Sequence, residues 1–427
     1  MFYLMSANTS NSAVAKNIKY KKNYPKSGGD LLRYLVFRLT HPAQFVWSAN
    51  SAKYKQVFAA SAAFYNEKYQ DTIKVERYRY DIDDAAGSVL VDKIDRDTKL
   101  VNNESNHRVF AAQIFTNNGG PDLYNPLNTH VIYASSNGDC HELHTAQILD
   151  DVNKSSVVGI AFNPMGVGSS PGHSRGPEDI EAALEAIVDD LVSNGVPLKN
   201  IVLKGRSLGA AIATKVAAKT EYQKPGNGIS VFNDRSFKTL SGAAASFVSD
   251  NIPVFKRAVH TFISRLFKRL DLEIDALTEF NKINVQNPGN AVAVVLNEED
   301  SVLRDAAITN HSLNNKNCIV CSAPGADNHN AWFNQLQIKE VYDENGTLSN
   351  YDNGQSVSEH VQDLLQGIPR KNLPAKKNGL FTKFANNIKL HFIKKSAAEE
   401  APQNVQPENK STDDKTTDNK DSRLLRP

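Results

Sequence analysis

The sequence predicts an α/β fold in which helices cover both faces of a mostly parallel central sheet. From residue 130 onward, short apolar runs alternate with longer segments whose apolar residues recur at helical spacing. Before residue 120, two segments alternate with period two, as antiparallel strands do. The chain has 427 residues, 40% hydrophobic and 22% charged, which suits one large globular domain with extensions.

The first 70 residues are predicted to form a partly helical extension to the main domain. Residues 1–28 are polar and basic, whereas 29–69 carry apolar residues at helical spacing. Two strands are expected next, over 73–80 and 107–115, because polar and apolar residues alternate there. The main domain is expected to span 71–337.

Strands and helices are predicted to alternate through the main domain. The strands are the apolar runs 130–134, 157–162, 201–204, 229–232, 291–296 and 318–322. One helix is predicted from Pro177, whose ring suits a first helical turn, to Asn194–Gly195, and another over 207–219. Residues 235–285 form a helical insertion where a cap would sit, and a further helix is expected near Asn330.

The end of the chain changes character after residue 337. A segment over 338–395 is expected to contain a basic amphipathic helix with its phenylalanines on one face. This helix either packs on the domain or lies on an anionic membrane surface. Residues 396–427 are polar with almost nothing to bury, so they are expected to be disordered.

The strongest functional signal is Gly205-Arg206-Ser207-Leu208-Gly209, between an apolar run and a stretch of small, helix-forming residues. Gly-x-Ser-x-Gly in a strand–turn–helix context is typical of a nucleophile elbow, although an ordinary Gly/Ser turn is the alternative. The glycines allow a sharp turn, and the serine comes at the start of a helix, where backbone N–H groups favour an oxyanion. The pattern therefore predicts Ser207 as a nucleophile.

A serine nucleophile needs a base that takes its proton. Of the five histidines that follow Ser207, only His329 lies in a polar loop of small residues directly after a predicted core strand. His311 is the alternative, and His260 lies among apolar residues as a packing side chain would. We therefore predict His329 as the general base.

A carboxylate must orient that base. Asp300 is the predicted acid because it follows the strand 291–296, and Glu298 and Glu299 lie in the same loop. Asp234, after the strand 229–232, is the alternative acid.

Two backbone N–H groups are needed to stabilise an oxyanion. One is predicted to be that of Leu208, directly after the nucleophile. The other is expected from Ser136 or Asn137, in the loop that follows the strand 130–134.

Composition excludes several classes of function. A net charge of +2 argues against nucleic acid as a partner, and the chain has no phosphate-binding loop or metal-ligand spacing, so neither a cofactor nor a metal is expected. Cys318 and Cys321 lie in a predicted strand and are expected to be buried thiols.

No segment has the core of a signal peptide or the length of a membrane span. The protein is expected in the cytoplasm, or exported into a host cell by a secretion system that needs no signal peptide.

Residues 107–335 resemble the α/β-hydrolase superfamily, in which antiparallel strands come first and βα units follow. Three segments are similar to serine hydrolases related to the human depalmitoylating hydrolases, to the chlamydial 43-kDa protein family and to lipase-like secreted effectors of Legionella. They are Phe162–Gly172, Gly205–Ala210 and Asn233–Phe237.

The resemblance implies Ser207, His329 and Asp300 as a catalytic triad that hydrolyses carboxylic esters or acyl thioesters. The insertion carries an apolar stripe at helical spacing, formed by Phe255, Val259, Phe262, Ile263, Leu266 and Phe267. The substrate would be a lipid or an acylated protein if part of this stripe lines the pocket. One departure is the oxyanion loop, which reads Ser135-Ser136-Asn137-Gly138 where relatives often have His-Gly-Asn. The alternative function is that of an inactive hydrolase fold that binds a host protein or a membrane through its basic C-terminal segment.

Overall fold

The computed structural model describes most of the chain between residues 43 and 366. The described residues are 32, 36–37, 43–48, 51–83, 87–94, 108–117, 123–170, 174, 176–249, 256–287, 289–314, 317–323, 328–343, 345–348 and 356–366. The predicted basic helix and polar tail, after residue 366, lie outside this set, as does nearly all of the first 42 residues.

A ten-stranded sheet forms the centre of the protein. Its strands are β1 (Ile73–Asp83), β2 (Gly87–Ile94), β3 (Arg108–Asn117), β4 (His130–Ala134), β5 (Val158–Phe162), β6 (Ile201–Arg206), β9 (Ser230–Asp234), β10 (Ala291–Leu296), β11 (Cys318–Ser322) and β12 (Gln337–Tyr342). A small hairpin of β7 (Gln223–Lys224) and β8 (Asn227–Gly228) stands apart.

The strand order across the sheet is β12-β11-β10-β9-β6-β4-β5-β3-β1-β2. Six neighbouring strands run parallel, in the order β11, β10, β9, β6, β4 and β5. Antiparallel strands flank them, β12 beside β11 and β3 beside β5. The antiparallel strands come first in the chain and the parallel βα units follow. This is the α/β-hydrolase arrangement that the sequence predicts. The carboxyl ends of β6, β10 and β11 therefore meet along one edge, where the loops that follow them can form a site.

Helices cover both faces of this sheet. They are α1 (Ala43–Val46), α2 (Ala52–Lys68), α3 (Thr145–Ser155), α4 (Pro177–Ser193), α5 (Leu208–Ala217), α6 (Leu240–Ser249), α7 (Lys256–Arg269), α8 (Ala276–Gln286) and α9 (Val357–Gln366). Successive side chains of a strand point to opposite faces. On β6, Lys204 reaches Asp151 of α3, whereas Gly205 lies against the start of α5. Helices α3 and α9 thus cover one face, and α4, α5 and α8 cover the other.

The predicted N-terminal helix is interrupted in the structure. A β-bridge between Ser48 and Gly168 ends the first helical piece, and the Ser51 hydroxyl caps α2 by accepting a hydrogen bond from the Tyr54 N–H. Tyr54, Val57 and Phe64 are the buried residues of α2, which packs on α3. The described part of the extension therefore packs against the main domain.

The predicted insertion contains α6, α7 and α8. Helix α8 packs on α5, so it belongs to the layer that covers the sheet, whereas α6 and α7 pack on each other. The apolar stripe of α7 is mostly turned inward, with Ile263 and Phe267 buried and Phe262 67% exposed. Most of this stripe is therefore core rather than a lining for an acyl chain.

Two regions differ from the sequence predictions. Strand β2 was not predicted, since it only becomes a strand by pairing with β1. The helix predicted near Asn330 is wrong, because a single 3-10 turn, Phe333–Gln335, leads there into β12. Strand β12 pairs antiparallel with β11, so the sheet extends beyond residue 337.

None of the helices in the described part of the chain combines the length and the apolar character of a membrane span.

Candidate active site

Ser207 occupies a sharp turn between β6 and α5. Its backbone has φ 52° and ψ −117°, a conformation that L-residues rarely adopt and that is typical of strained functional positions. The flanking glycines permit this turn. A Cβ on Gly209 would lie 2.3 Å from the Ala134 carbonyl oxygen, and one on Gly205 would lie 2.5 Å from the Gly209 backbone. The two glycines of the motif are therefore required by close backbone contacts.

The end of β9 holds the peptide groups of Ser207 in place. The Ser207 N–H donates to the Asp234 carbonyl over 2.9 Å, and the Ser236 hydroxyl donates to the Ser207 carbonyl over 3.1 Å. Both backbone polar groups of Ser207 are therefore hydrogen-bonded. The residue is 8% exposed and directly precedes α5.

The loops after β10 and β11 bring Asp300 and His329 together. Nδ1 of His329 lies 2.8 Å from Oδ2 of Asp300, and because a carboxylate only accepts, the imidazole N–H donates. The other carboxylate oxygen accepts from the backbone N–H groups of Val302 and Leu303, at 2.9 and 2.7 Å. Burial works to raise the pKa of Asp300, but the hydrogen bonds from His329 and these N–H groups hold that pKa below its ordinary value. Asp300 is thus a carboxylate at neutral pH.

Asn328 ties the acid loop to the histidine loop, and sequence reasoning did not find it. Its side-chain oxygen accepts from the Ser301 N–H at 2.7 Å, and its amide donates to the Glu299 carbonyl at 2.7 Å. The Ser301 hydroxyl in turn accepts from the His329 N–H at 3.3 Å. These bonds fix the distance between the two loops that carry Asp300 and His329.

The residues considered as the alternative acid and base have other surroundings. Asp234 forms a two-point ion pair with Arg235, in which both side chains are buried, so its carboxylate faces a guanidinium and not an imidazole. His311 is exposed in the 3-10 turn Asn310–Ser312. Glu298 accepts from the Ala323 N–H, and Glu299 is exposed.

The loop predicted to supply the second oxyanion donor lies against the start of α5. The Ala134 and Ser135 carbonyls approach Gly209 so closely that no side chain would fit between them. The Asn137 carbonyl accepts from the Ala43 N–H at 3.2 Å, and the Gly138 carbonyl accepts from the Trp47 indole N–H. Since carbonyls 137 and 138 are directed to the N-terminal extension, this extension sets the orientation of the loop's peptide groups.

The described part of this segment, Phe162–Ser170, connects the same extension to the sheet. The Gly168 N–H donates to the Trp47 carbonyl at 2.6 Å. Asn163, fully buried, accepts from the His141 N–H and donates to Glu142, which also accepts from the Tyr54 hydroxyl at 2.6 Å. The described part of the extension, the loop 135–138 and the turn before α3 are therefore connected by hydrogen bonds.

Arg206, which precedes Ser207, bridges the two sides of the site. One of its terminal nitrogens donates to the Asn330 side chain at 2.8 Å, and the other lies 4.0 Å from the Asp139 carboxylate. Asp139 also accepts from the Ser136 hydroxyl at 2.6 Å and from His144 at 3.2 Å. Burial works to raise the pKa of Asp139, but His144, Arg206 and Ser136 lower it.

A small cavity of about 40 Å³ adjoins these residues between β6 and the loop that follows His329. Arg206 and Lys204 line it from β6, and Trp332 and Phe333 from the loop. Lys204 is buried beneath it and paired with Asp151 at 2.6 Å. Within the described ranges, no three His, Cys, Asp or Glu side chains come together as metal ligands would.

Comparison with solved structures gives esterases and α/β-hydrolases as structural neighbours. An esterase of Pyrobaculum calidifontis shares 16% identity over 64% of this chain and 80% of its own, with a TM-score of 0.35. An α/β-hydrolase of Vibrio vulnificus shares 14% over 62% and 77%, with a TM-score of 0.40. An esterase of Pyrococcus furiosus shares 14% over 47% and 69%, with a TM-score of 0.34. No protein-family model and no curated protein matches the chain.

Proposed function

We propose that the protein is a serine hydrolase of carboxylic esters or acyl thioesters, with Ser207, His329 and Asp300 as its triad. The observation that carries this proposal is the 2.8 Å hydrogen bond between His329 and Asp300. It lies at the sheet edge where Ser207 adopts its strained turn, and the chain order Ser, Asp, His is that of an α/β-hydrolase.

The reaction begins when the Ser207 hydroxyl attacks the substrate carbonyl and His329 Nε2 accepts the hydroxyl proton. Asp300 keeps the Nδ1–H directed to itself, so that Nε2 is the nitrogen that accepts. The tetrahedral oxyanion is stabilised by the N–H of Leu208 and by an N–H of Ser136 or Asn137. The carbonyl re-forms, the leaving alcohol or thiol takes the proton from His329, and an acyl-serine remains.

Water then resolves the acyl-enzyme. His329 takes a proton from a water molecule as the water oxygen attacks the acyl carbonyl, and Ser207 leaves with a proton returned by His329. The depressed pKa of Asp300 supports this cycle, because an ionised carboxylate stabilises the imidazolium that forms in each half.

A fluorophosphonate probe tests the proposal directly, since it phosphonylates only an activated serine. Labelling of the wild-type protein and loss of labelling in Ser207→Ala are the expected results. The folded wild type left unlabelled would instead favour the alternative, an inactive hydrolase fold that binds a host protein or membrane. A panel of p-nitrophenyl esters and acyl thioesters of increasing chain length then separates the two substrate classes.

Replacing Trp47 by phenylalanine is expected to lower kcat about 10-fold with little change in KM, less than the ~10²–10³-fold cost of deleting an oxyanion donor. The ring keeps its packing, but the Gly138 carbonyl loses its indole donor, and the oxyanion loop loses one of its contacts with the extension. Steady-state kinetics on a p-nitrophenyl ester measure the effect.

Tyr65→Phe is the matched control, because it also removes one hydrogen bond between a side chain of the extension and a carbonyl, that of Ile73. This bond lies away from the oxyanion loop, so kcat should stay at the wild-type value. Equal losses in the two variants would show that Trp47 acts only through general stability.

A further inference from the structure

We propose that Arg235 is a positioning residue that holds the His329 loop, and that the Asp234–Ser236 segment joins this loop to the nucleophile. The inference rests on the proposed function, because positioning has a kinetic meaning only if Ser207 and His329 react. It assigns a role to the Asn233–Phe237 segment, which the triad itself does not use.

The guanidinium of Arg235 divides its donors between a carboxylate and two backbone carbonyls. Nε and one terminal nitrogen donate to the two oxygens of Asp234, at 2.7 and 2.9 Å. The other terminal nitrogen donates to the carbonyls of Asn328 and Ala331, at 3.1 and 2.7 Å. These two carbonyls lie on either side of His329 in the chain, so a single rigid group fixes the main chain before and after the base.

The surroundings of Arg235 are as constrained as its hydrogen bonds. The residue is 2% exposed and has φ 46°, which a non-glycine side chain seldom adopts. Its N–H donates to the Val294 carbonyl of β10 at 2.8 Å. Such a conformation persists only where neighbouring contacts impose it, and it is characteristic of functional sites.

The same segment contacts the nucleophile through its backbone and through a hydroxyl. The Asp234 carbonyl accepts from the Ser207 N–H, and the Ser236 hydroxyl donates to the Ser207 carbonyl. The ion pair therefore connects the peptide groups of Ser207 with those around His329 through three consecutive residues. A shift of Arg235 would change the distance between nucleophile and base.

Lysine cannot replace arginine in this arrangement. An ammonium is a point charge that can pair with Asp234, but it lacks the planar fork that also reaches two carbonyls. The Arg235→Lys variant thus keeps the positive charge but loses the hydrogen bonds to the histidine loop. Its effect therefore reports the contribution of those hydrogen bonds.

We therefore expect Arg235→Lys to lower kcat by up to about 10²-fold with KM within a factor of two, as small misplacements of catalytic groups do. A second readout is the low-field proton NMR resonance of the His329 Nδ1–H bonded to Asp300, assigned by its loss in His329→Ala. This resonance should broaden or shift in Arg235→Lys. A merely structural ion pair would leave both readouts unchanged in the folded variant, and that result would overturn the inference.

Glu185→Gln is the control for general destabilisation. It weakens the ion pair between Glu185, which is buried in α4, and Lys219, which follows α5, so it should lower thermal stability without affecting the resonance or kcat. If Arg235→Lys does not fold, the double variant Asp234→Asn/Arg235→Gln removes both charges together, which buried pairs tolerate better than loss of one partner. Loss of kcat is expected in it too, and wild-type kcat would refute the inference.

The two proposals fail differently. An unlabelled wild type contradicts the hydrolase, whereas the NMR resonance reports the His329–Asp300 bond without any turnover.

Discussion

Replacing His329 by alanine is expected to lower kcat by roughly 10⁶-fold while KM changes by no more than a few-fold. The Ser207 hydroxyl is a weak nucleophile without a base. His329 is the histidine whose Nδ1 is bonded to a buried carboxylate, in loops at the same edge of the sheet as the serine turn. Hydrolysis of a p-nitrophenyl ester, followed with enough enzyme to detect residual turnover, measures the loss. Phosphonylation of Ser207 should slow in parallel, because it needs the same base.

His311→Ala is the matched control for this change. His311 lies in a short exposed turn after β10, and we expect its removal to leave kcat within a factor of two. Thermal melting of both variants separates loss of chemistry from loss of fold. Wild-type turnover in a folded His329→Ala variant would rule out His329 as the base.

Sequence patterns predicted the parallel strands of the sheet because each is a continuous apolar run between polar turns. Runs such as 130–134 and 291–296 coincide with β4 and β10. The sharp turn at Ser207 could be predicted for a similar local reason, since the glycines that permit it, Gly205 and Gly209, lie close to the serine in the chain. Asp300 and His329 followed once the strands before them were known.

Other features depend on contacts between residues far apart in the chain, which no local pattern carries. Strand β2 depends on pairing with β1, and β12 on an edge left open by β11. The Trp47 indole reaches a carbonyl 91 residues away, and the Arg235 guanidinium reaches carbonyls 93 and 96 residues away. Asp300 is the predicted acid and Asp234 the alternative, because each follows a predicted strand. In the structure, the bond to His329 and the ion pair with Arg235 distinguish the two carboxylates.

Asp300→Asn is expected to lower kcat by about 10⁴-fold, with the fold intact. An amide in this position can present its N–H₂ group to His329 Nδ1 and so favour the tautomer whose Nε2 carries the proton and cannot accept another. It also removes the negative charge that stabilises the imidazolium. The charge is present in the wild type because hydrogen bonds from His329 and the loop N–H groups outweigh burial and lower the pKa of Asp300.

Asp234→Asn is the informative comparison, because both aspartates are buried and each is bonded to one cationic or imidazole side chain. Losing Asp234 leaves the Arg235 guanidinium without its counter-ion, at a cost of about 3–5 kcal/mol in the free energy of unfolding. Its kcat, measured well below the lowered melting temperature, should fall only about 10-fold, since the histidine loop loosens but keeps its acid. The Asp300→Asn variant should show the opposite pattern, with little change in melting temperature beside its far larger loss of kcat. If the loss of turnover instead followed Asp234, the acid would have to be reassigned, because no merely positional effect of an ion pair reaches 10⁴-fold.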